Sequence, residues 1–190
     1  MSSKIDVHCF LDKMYFYAKS SIQGLYHMTH AEFTGLLKEK IDNASHAERV
    51  DFSLAICNEL LPEYILFAKH EDFGNVPLME EAINFCKLNR NVEPEDLSVN
   101  IDLDELEENI PDVDDFEDFD GSTAMNASCA IFELLEYLSD RETYHIVNIG
   151  KYMTDTVEFR LGSTDPTLTS SELDNHPLVF EERKRLLALI

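Results

Sequence analysis

The side chains of this chain that are best suited to chemistry are aspartates in one short segment, IPDVDDFEDFDGS. Carboxylate oxygens are the ligands that Mg²⁺, Mn²⁺ and Ca²⁺ prefer in proteins. The sequence therefore provides candidate ligands for a divalent cation. These candidates are Asp112, Asp114, Asp115, Asp118 and Asp120.

The spacing of these aspartates does not fit an EF-hand, which needs oxygen ligands early in its loop, Gly at position 6 and Glu at position 12. A loop that starts at Asp112 has Phe116 at position 5. A loop that starts at Asp118 has Thr123 at position 6 and Cys129 at position 12. Any cation site in this segment is therefore predicted to be weak and non-specific.

Carboxylate catalysis is a second interpretation of the segment, since two acids in different environments can act as acid and base. Asp114 and Asp115 are adjacent, so they point apart in an extended chain and lie about 100° apart in a helix. No His or Lys lies beside them in the sequence. We therefore assign no catalytic residue and expect, without excluding an enzyme, that the chain is not one.

Motifs for cofactors and nucleophiles are absent from the sequence: it contains no GxxxxGK[ST], GxGxxG or GxSxG. No cofactor is expected. The four cysteines, Cys9, Cys57, Cys86 and Cys129, form no CxxC pair and are predicted to be buried free thiols. His27 and His30 are three residues apart and could share a helix face, but a metal site there would need further ligands.

The charge of the chain is very unevenly distributed. Residues 91–140 contain seventeen Asp and Glu and no Lys or Arg, within a chain whose net charge is −23. Such a balance disfavours nucleic acid and anionic membrane surfaces, both of which are negatively charged. It favours a basic protein partner, although bound cations or plain solvation would also offset the repulsion between these acids.

The location and assembly of the chain follow from its apolar residues. No run of 18 apolar residues exists, so no membrane-spanning helix is expected. The first residues lack the zones of a secretory signal, and we predict a cytoplasmic protein. The last residues, Leu186 to Ile190, are all apolar; either they pack into the body or the chain has been cut short there. A third possibility is that this tail is the surface of a homo-oligomer.

Apolar residues recur at intervals of three and four, which predicts an all-α fold of about seven helices in a single compact domain. The domain is expected to cover residues 28–190, with an acidic segment at 93–120. Residues 1–27 fit this pattern poorly and are interpreted either as an appendage of doubtful order or as a short N-terminal helix. The most regular pattern follows an expected N-cap at Ser122 and predicts a central core helix. Its buried stripe is Ala124, Ala127, Ile131, Leu134 and Leu138.

Other boundaries follow from single residues. Ser45 and Glu48 form an expected capping box. Pro62 is expected to begin a new helix, and Gly162 to end one. Asp118 and Asp120 precede the central helix, where negative charge complements the helix dipole. Phe116 and Phe119 alternate with acids and are expected to anchor the acidic segment on the core.

Three stretches of the chain resemble the YjaG-like proteins, an uncharacterised bacterial family. They are LPEYILFAKHEDFGN, IPDVDDFEDFDGSTAMNASCAIFELL and TSSELDNHPLVFEERKRLLALI, and the similarity covers residues 32 to 190. This chain has Asn126 where the family pattern places an acid on the helix, and Phe119 where a tyrosine is frequent. The resemblance implies an all-helical bacterial cytoplasmic domain and implies no activity.

Two hypotheses about function remain. The first is a non-enzymatic helical domain that binds another protein through its acidic face. The alternative is a carboxylate-dependent metal-binding protein or enzyme that uses the region of Asp114 and Asp115.

Overall fold

The structure is a computed structural model that describes residues 27–112, 114–116 and 119–190. Within these residues the fold is all-α without a strand, as predicted, although it has eight α-helices rather than about seven. They are α1 (His30–Asn43), α2 (His46–Glu71), α3 (Val76–Leu88), α4 (Leu103–Glu108), α5 (Phe119–Asp140), α6 (Thr143–Thr164), α7 (Ser170–Asp174) and α8 (Pro177–Leu189). A 3₁₀ turn at Pro94–Asp96 lies between α3 and α4. The predicted appendage at 1–27 lies, apart from His27, outside the described residues.

Side-chain caps determine where several helices begin. The predicted capping box at α2 is confirmed: Ser45 Oγ accepts from the Glu48 amide, and the Glu48 carboxylate accepts from the Ser45 amide. Thr29 makes the same arrangement at α1. Asp102 accepts from the Glu105 amide and caps α4. These bonds satisfy amides at the helix ends that have no partner within the helix.

The central helix of the core is α5, as the sequence predicted. Its most extensive contacts are with α2 and α6, which enclose it on two sides. The predicted stripe is entirely inaccessible to solvent, since all five of its side chains are 0% exposed. Small residues in that stripe allow close helix approach. The five side chains are Ala124, Ala127, Ile131, Leu134 and Leu138.

Three predicted helix boundaries were wrong. Pro62 lies inside α2, because the burial of Leu60 and Tyr64 on either side of it stabilises a continuous helix. The central helix begins at Phe119, one turn before the expected cap at Ser122. Gly162 lies within α6, where it does not adopt positive φ, and the helix continues to Thr164.

The last helix packs against the body through both apolar side chains and a charged one. Val179, Arg183 and Leu186 are all 0% exposed and lie one turn apart on α8. Beyond them, Ile190 packs partly against the core, whereas Leu189 is 44% exposed. The expectation that this tail packs into the body therefore applies to Leu186. Across the described part of the chain, no helix is long and apolar enough to cross a bilayer.

Candidate functional site

Buried apolar residues hold the acidic segment on the core. Ile101, Leu106 and Pro111 are buried. Phe116 packs edge-on against Phe67 and Phe73, with ring centroids 4.9 and 5.2 Å away. The predicted anchoring role of Phe116 is confirmed. Phe119 has the same predicted role, but its side chain lies outside the described part of the structure, so that role stays a prediction.

Between these anchors the acids point into solvent. All eleven acids from residue 93 to residue 115 are exposed, and none forms an ion pair with another described residue. We refer to these eleven residues as the acidic face. They are Glu93, Glu95, Asp96, Asp102, Asp104, Glu105, Glu107, Glu108, Asp112, Asp114 and Asp115.

The predicted cation ligands have different local roles. Asp112 Oδ1 accepts from the Asp114 amide at 2.8 Å, and the Asp112 carbonyl accepts from the Asp115 and Phe116 amides. The Asp112 carboxylate therefore stabilises a turn. Asp120 lies half-buried in the first turn of α5, and Asp118 lies outside the described residues.

No three His, Cys, Asp or Glu side chains of the described residues are placed to hold a metal ion. Asp112, Asp114, Asp115 and Asp120 are among these residues, and so are His27 and His30. The predicted cation site also includes Asp118, so it stays a prediction.

A second polar group, which the sequence did not predict, lies between α5 and α6. The His145 ring is 4% exposed and contacts Glu133 through Nδ1 and Asp140 through Nε2, the latter at 3.1 Å. Asn148 donates to the other oxygen of Glu133 at 2.9 Å. Because both ring nitrogens face carboxylates, the arrangement favours the doubly protonated imidazolium.

Two further ionisable side chains, Cys129 and Tyr152, extend this group along the same pair of helices. Burial raises the pKa of the Cys129 thiol to about 11. Burial also raises the pKa of Tyr152, and the two side chains interact. Neither is therefore an activated nucleophile at neutral pH, and both nitrogens of His145 are occupied. The group joins α5 to α6.

The bonds of His145 make stability depend on pH. Burial lowers its pKa, but the bonds to Glu133 and Asp140 outweigh that effect, and the pKa is raised above the ordinary value of about 6.5. The stabilisation is therefore fully present below the unfolded pKa and is lost as pH rises through the folded pKa. As pH rises from the unfolded pKa of His145 through its folded pKa, we expect the free energy of unfolding to fall more for the wild type than for His145→Gln. Urea unfolding at a series of pH values measures this. Parallel pH profiles of the two proteins would contradict this.

Asn126, where the resemblance led us to expect an acid, also lies between α5 and α6. It is 2% exposed, and its amide donates to Thr156 Oγ1 at 3.1 Å. Thr156 Oγ1 in turn donates to the Tyr152 carbonyl at 2.8 Å. The neutral amide is thus satisfied inside the fold, away from the exposed acids.

Comparisons with known proteins agree on one family. Residues 37–190 match the family described as "Protein of unknown function (DUF416)". The "Uncharacterized protein YjaG" of Salmonella typhimurium and that of Escherichia coli K12 are each 25% identical over 146 residues, which cover 76% of this chain and 73% of theirs.

A solved structure is similar over most of both chains. The crystal structure of a DUF416 family protein from Shewanella baltica is 30% identical to this chain and superposes with a TM-score of 0.64. The superposition covers 83% of this chain and 81% of that one. The resemblance noted from the sequence is confirmed, and the chain belongs to the DUF416 family, whose function is unknown.

Proposed function

We propose that this domain is a non-enzymatic interaction module that binds a basic protein partner through its acidic face. One observation carries the proposal. Every acid between residues 93 and 115 is exposed, and none is neutralised by a cation among the described residues. A partner with clustered Lys and Arg would supply that missing charge.

Another part of the described surface is organised differently, which supports this proposal. On the side formed by α2, α6 and α8, acids and bases alternate in ion pairs. Arg160 pairs with Glu63, and Arg185 pairs with both Glu59 and Glu182. Because repulsion between like charges lowers stability, an unpaired run of acids is unfavourable unless something else compensates for it.

The acidic face is also packed on the core in the absence of a partner. Its backbone is attached through Ile101 and Leu106, and through Phe116 against Phe67. A preorganised surface loses less conformational entropy on binding. Complementary charge mainly raises the association rate and the specificity. The effect weakens as salt is added because dissolved ions screen exposed charges, over a Debye length of about 8 Å at physiological ionic strength.

Two matched variants test the proposal. The face variant neutralises exposed acids whose side chains cap no helix, and the control variant neutralises as many exposed acids elsewhere. The face variant is Asp104→Asn, Glu107→Gln, Glu108→Gln and Asp115→Asn. The control variant is Glu39→Gln, Glu80→Gln, Glu81→Gln and Glu142→Gln.

Immobilised wild type and both variants are used to capture proteins from a bacterial lysate at low and at high salt. We expect the wild type and the control variant to retain the same basic protein at low salt and to release it at high salt. The face variant is expected to retain much less of it. Capture of no salt-sensitive protein, or equal capture by all three, would contradict the proposal.

A further inference from the structure

Basic side chains gather at one corner of this acidic protein. His46 at the start of α2 and Arg141 between α5 and α6 contact the buried Tyr137, and the backbone of Arg90 after α3 lies near the His46 ring. His46 Nδ1 lies 3.0 Å from the Tyr137 hydroxyl, and the Arg141 guanidinium lies 5.8 Å from the centre of the Tyr137 ring. We refer to His46, Arg90 and Arg141 as the basic corner.

Each residue of the basic corner has a buried nitrogen that lacks a hydrogen-bond partner among the described residues. These atoms are His46 Nε2, Arg90 Nε and Arg141 Nη1. The arginine atoms are donors only, and His46 Nε2 carries the proton when Tyr137 donates to Nδ1. A buried polar group without a partner is unfavourable, so three in one corner point to an acceptor that completes it.

The acceptors that the protein supplies nearby do not satisfy these nitrogens. Arg141 donates through its other terminal nitrogen to the Val92 carbonyl. Arg90 is paired with Asp51 at 2.5 Å. The Arg90 backbone lies near the His46 ring but completes no hydrogen bond to Nε2. Among the described residues, the three buried nitrogens therefore have no acceptor.

The charge of the corner favours an anion over a neutral acceptor. Arg49, which also lies near His46, donates to the carbonyls of Ile41 and Asp42. Arg49 and Arg141 thus contact backbone carbonyls and have no carboxylate partner among the described residues. Two carboxylates lie near the corner: Asp51, which pairs with Arg90, and Glu93, whose charge acts on His46, so the positive charge of the corner is offset only in part.

We propose that the basic corner binds a small oxyanion, a phosphate or carboxylate group, between His46, Arg90 and Arg141. Arg90 also lines an open groove of about 580 Å³ between α2 and α3, together with Asp51 and Glu80. The groove places Leu54, Leu61 and Ile83 next to Arg90, so a ligand with an apolar part beyond its oxyanion fits there. Glu93 of the acidic face lies near His46, but the proposal does not depend on the role of that face.

The test uses phosphate and acetate as probes, with sodium chloride at matched ionic strength as the reference. Thermal unfolding and His46 NMR shifts are recorded for the wild type, Arg141→Gln, Arg90→Gln and the control Arg160→Gln. We expect saturable stabilisation by a probe in the wild type and in Arg160→Gln, with the His46 pKa rising as the probe binds. Each corner variant should bind about tenfold more weakly or worse, since it loses a charged hydrogen bond.

The two probes separate the two kinds of ligand, because a phosphate site responds to phosphate at lower concentration than to acetate and a carboxylate site does the reverse. General salt effects on stability do not saturate at low concentration and are shared by all variants. The wild-type NMR titration needs no variant, so it tests the proposal even if Arg141→Gln folds poorly. Equal curves in probe and chloride, or saturation that both corner variants retain, would overturn the proposal.

Discussion

Replacing Arg183 with alanine is expected to lower the free energy of unfolding by about 3–5 kcal/mol, because it breaks a buried ion pair from one side. Arg183 is 0% exposed. Its guanidinium lies 2.9 Å from Glu158 and 2.8 Å from Asp174, and it donates to the Met28 carbonyl at 2.7 Å. The change would leave two partly buried carboxylates without their cation.

This expectation is measured by urea unfolding followed by circular dichroism. Lys184→Ala, the neighbouring exposed position on α8, is the matched control and should change stability far less. Equal effects of the two substitutions would show that Arg183 does not join the N-terminal end of α1 to α6, α7 and α8.

The second large effect is expected at the centre of the core. Leu134→Ala should lower the free energy of unfolding by about 2–5 kcal/mol, because it removes buried apolar surface and leaves a cavity between close-packed helices. Leu134 is 0% exposed on α5, which α2 and α6 enclose. Leu88→Ala is the control, since Leu88 is 73% exposed at the end of α3.

The same unfolding experiment decides this prediction. Leu88→Ala should leave the midpoint nearly unchanged, as surface substitutions usually do. If Leu134→Ala unfolded at the same urea concentration as Leu88→Ala, then α5 would not be the core helix that the structure describes.

The sequence predicted those parts of the fold that depend on local patterns. The stripe from Ala124 to Leu138 recurs at helical spacing, and the Ser45–Glu48 capping box is a local signal. Both are confirmed. The boundary predicted at Pro62 was wrong because its local preference to begin a helix was outweighed by the burial of Leu60 and Tyr64 on either side of it.

The polar groups that the sequence did not predict depend on contacts between distant residues. Glu133 and His145 are twelve residues apart on two helices, and Arg183 reaches Met28 across 155 residues. A sequence signal existed in part, since His145, Asn148 and Tyr152 recur at helical spacing beside the apolar residues of α6. Which residues they meet is decided by how α5 and α6 pack.

The acidic segment has some features that the sequence predicted and one that it did not. Its composition alone predicted an exposed acidic surface, and the alternation of Phe116 with acids predicted an anchor. The turn made by the Asp112 carboxylate was not predicted, because that carboxylate was interpreted only as a cation ligand. The oxygen of a short side chain can instead accept from a backbone amide two residues later.

The most direct test of the acidic face is the affinity for its captured basic partner, measured by titration calorimetry from about 50 mM to about 500 mM sodium chloride. We expect the wild type and the control variant to lose affinity steeply and in parallel as salt rises. The face variant should bind more weakly at low salt and respond less to added salt. An affinity that does not change with salt, or a face variant that follows the wild-type curve, would contradict the proposal that this surface binds the partner.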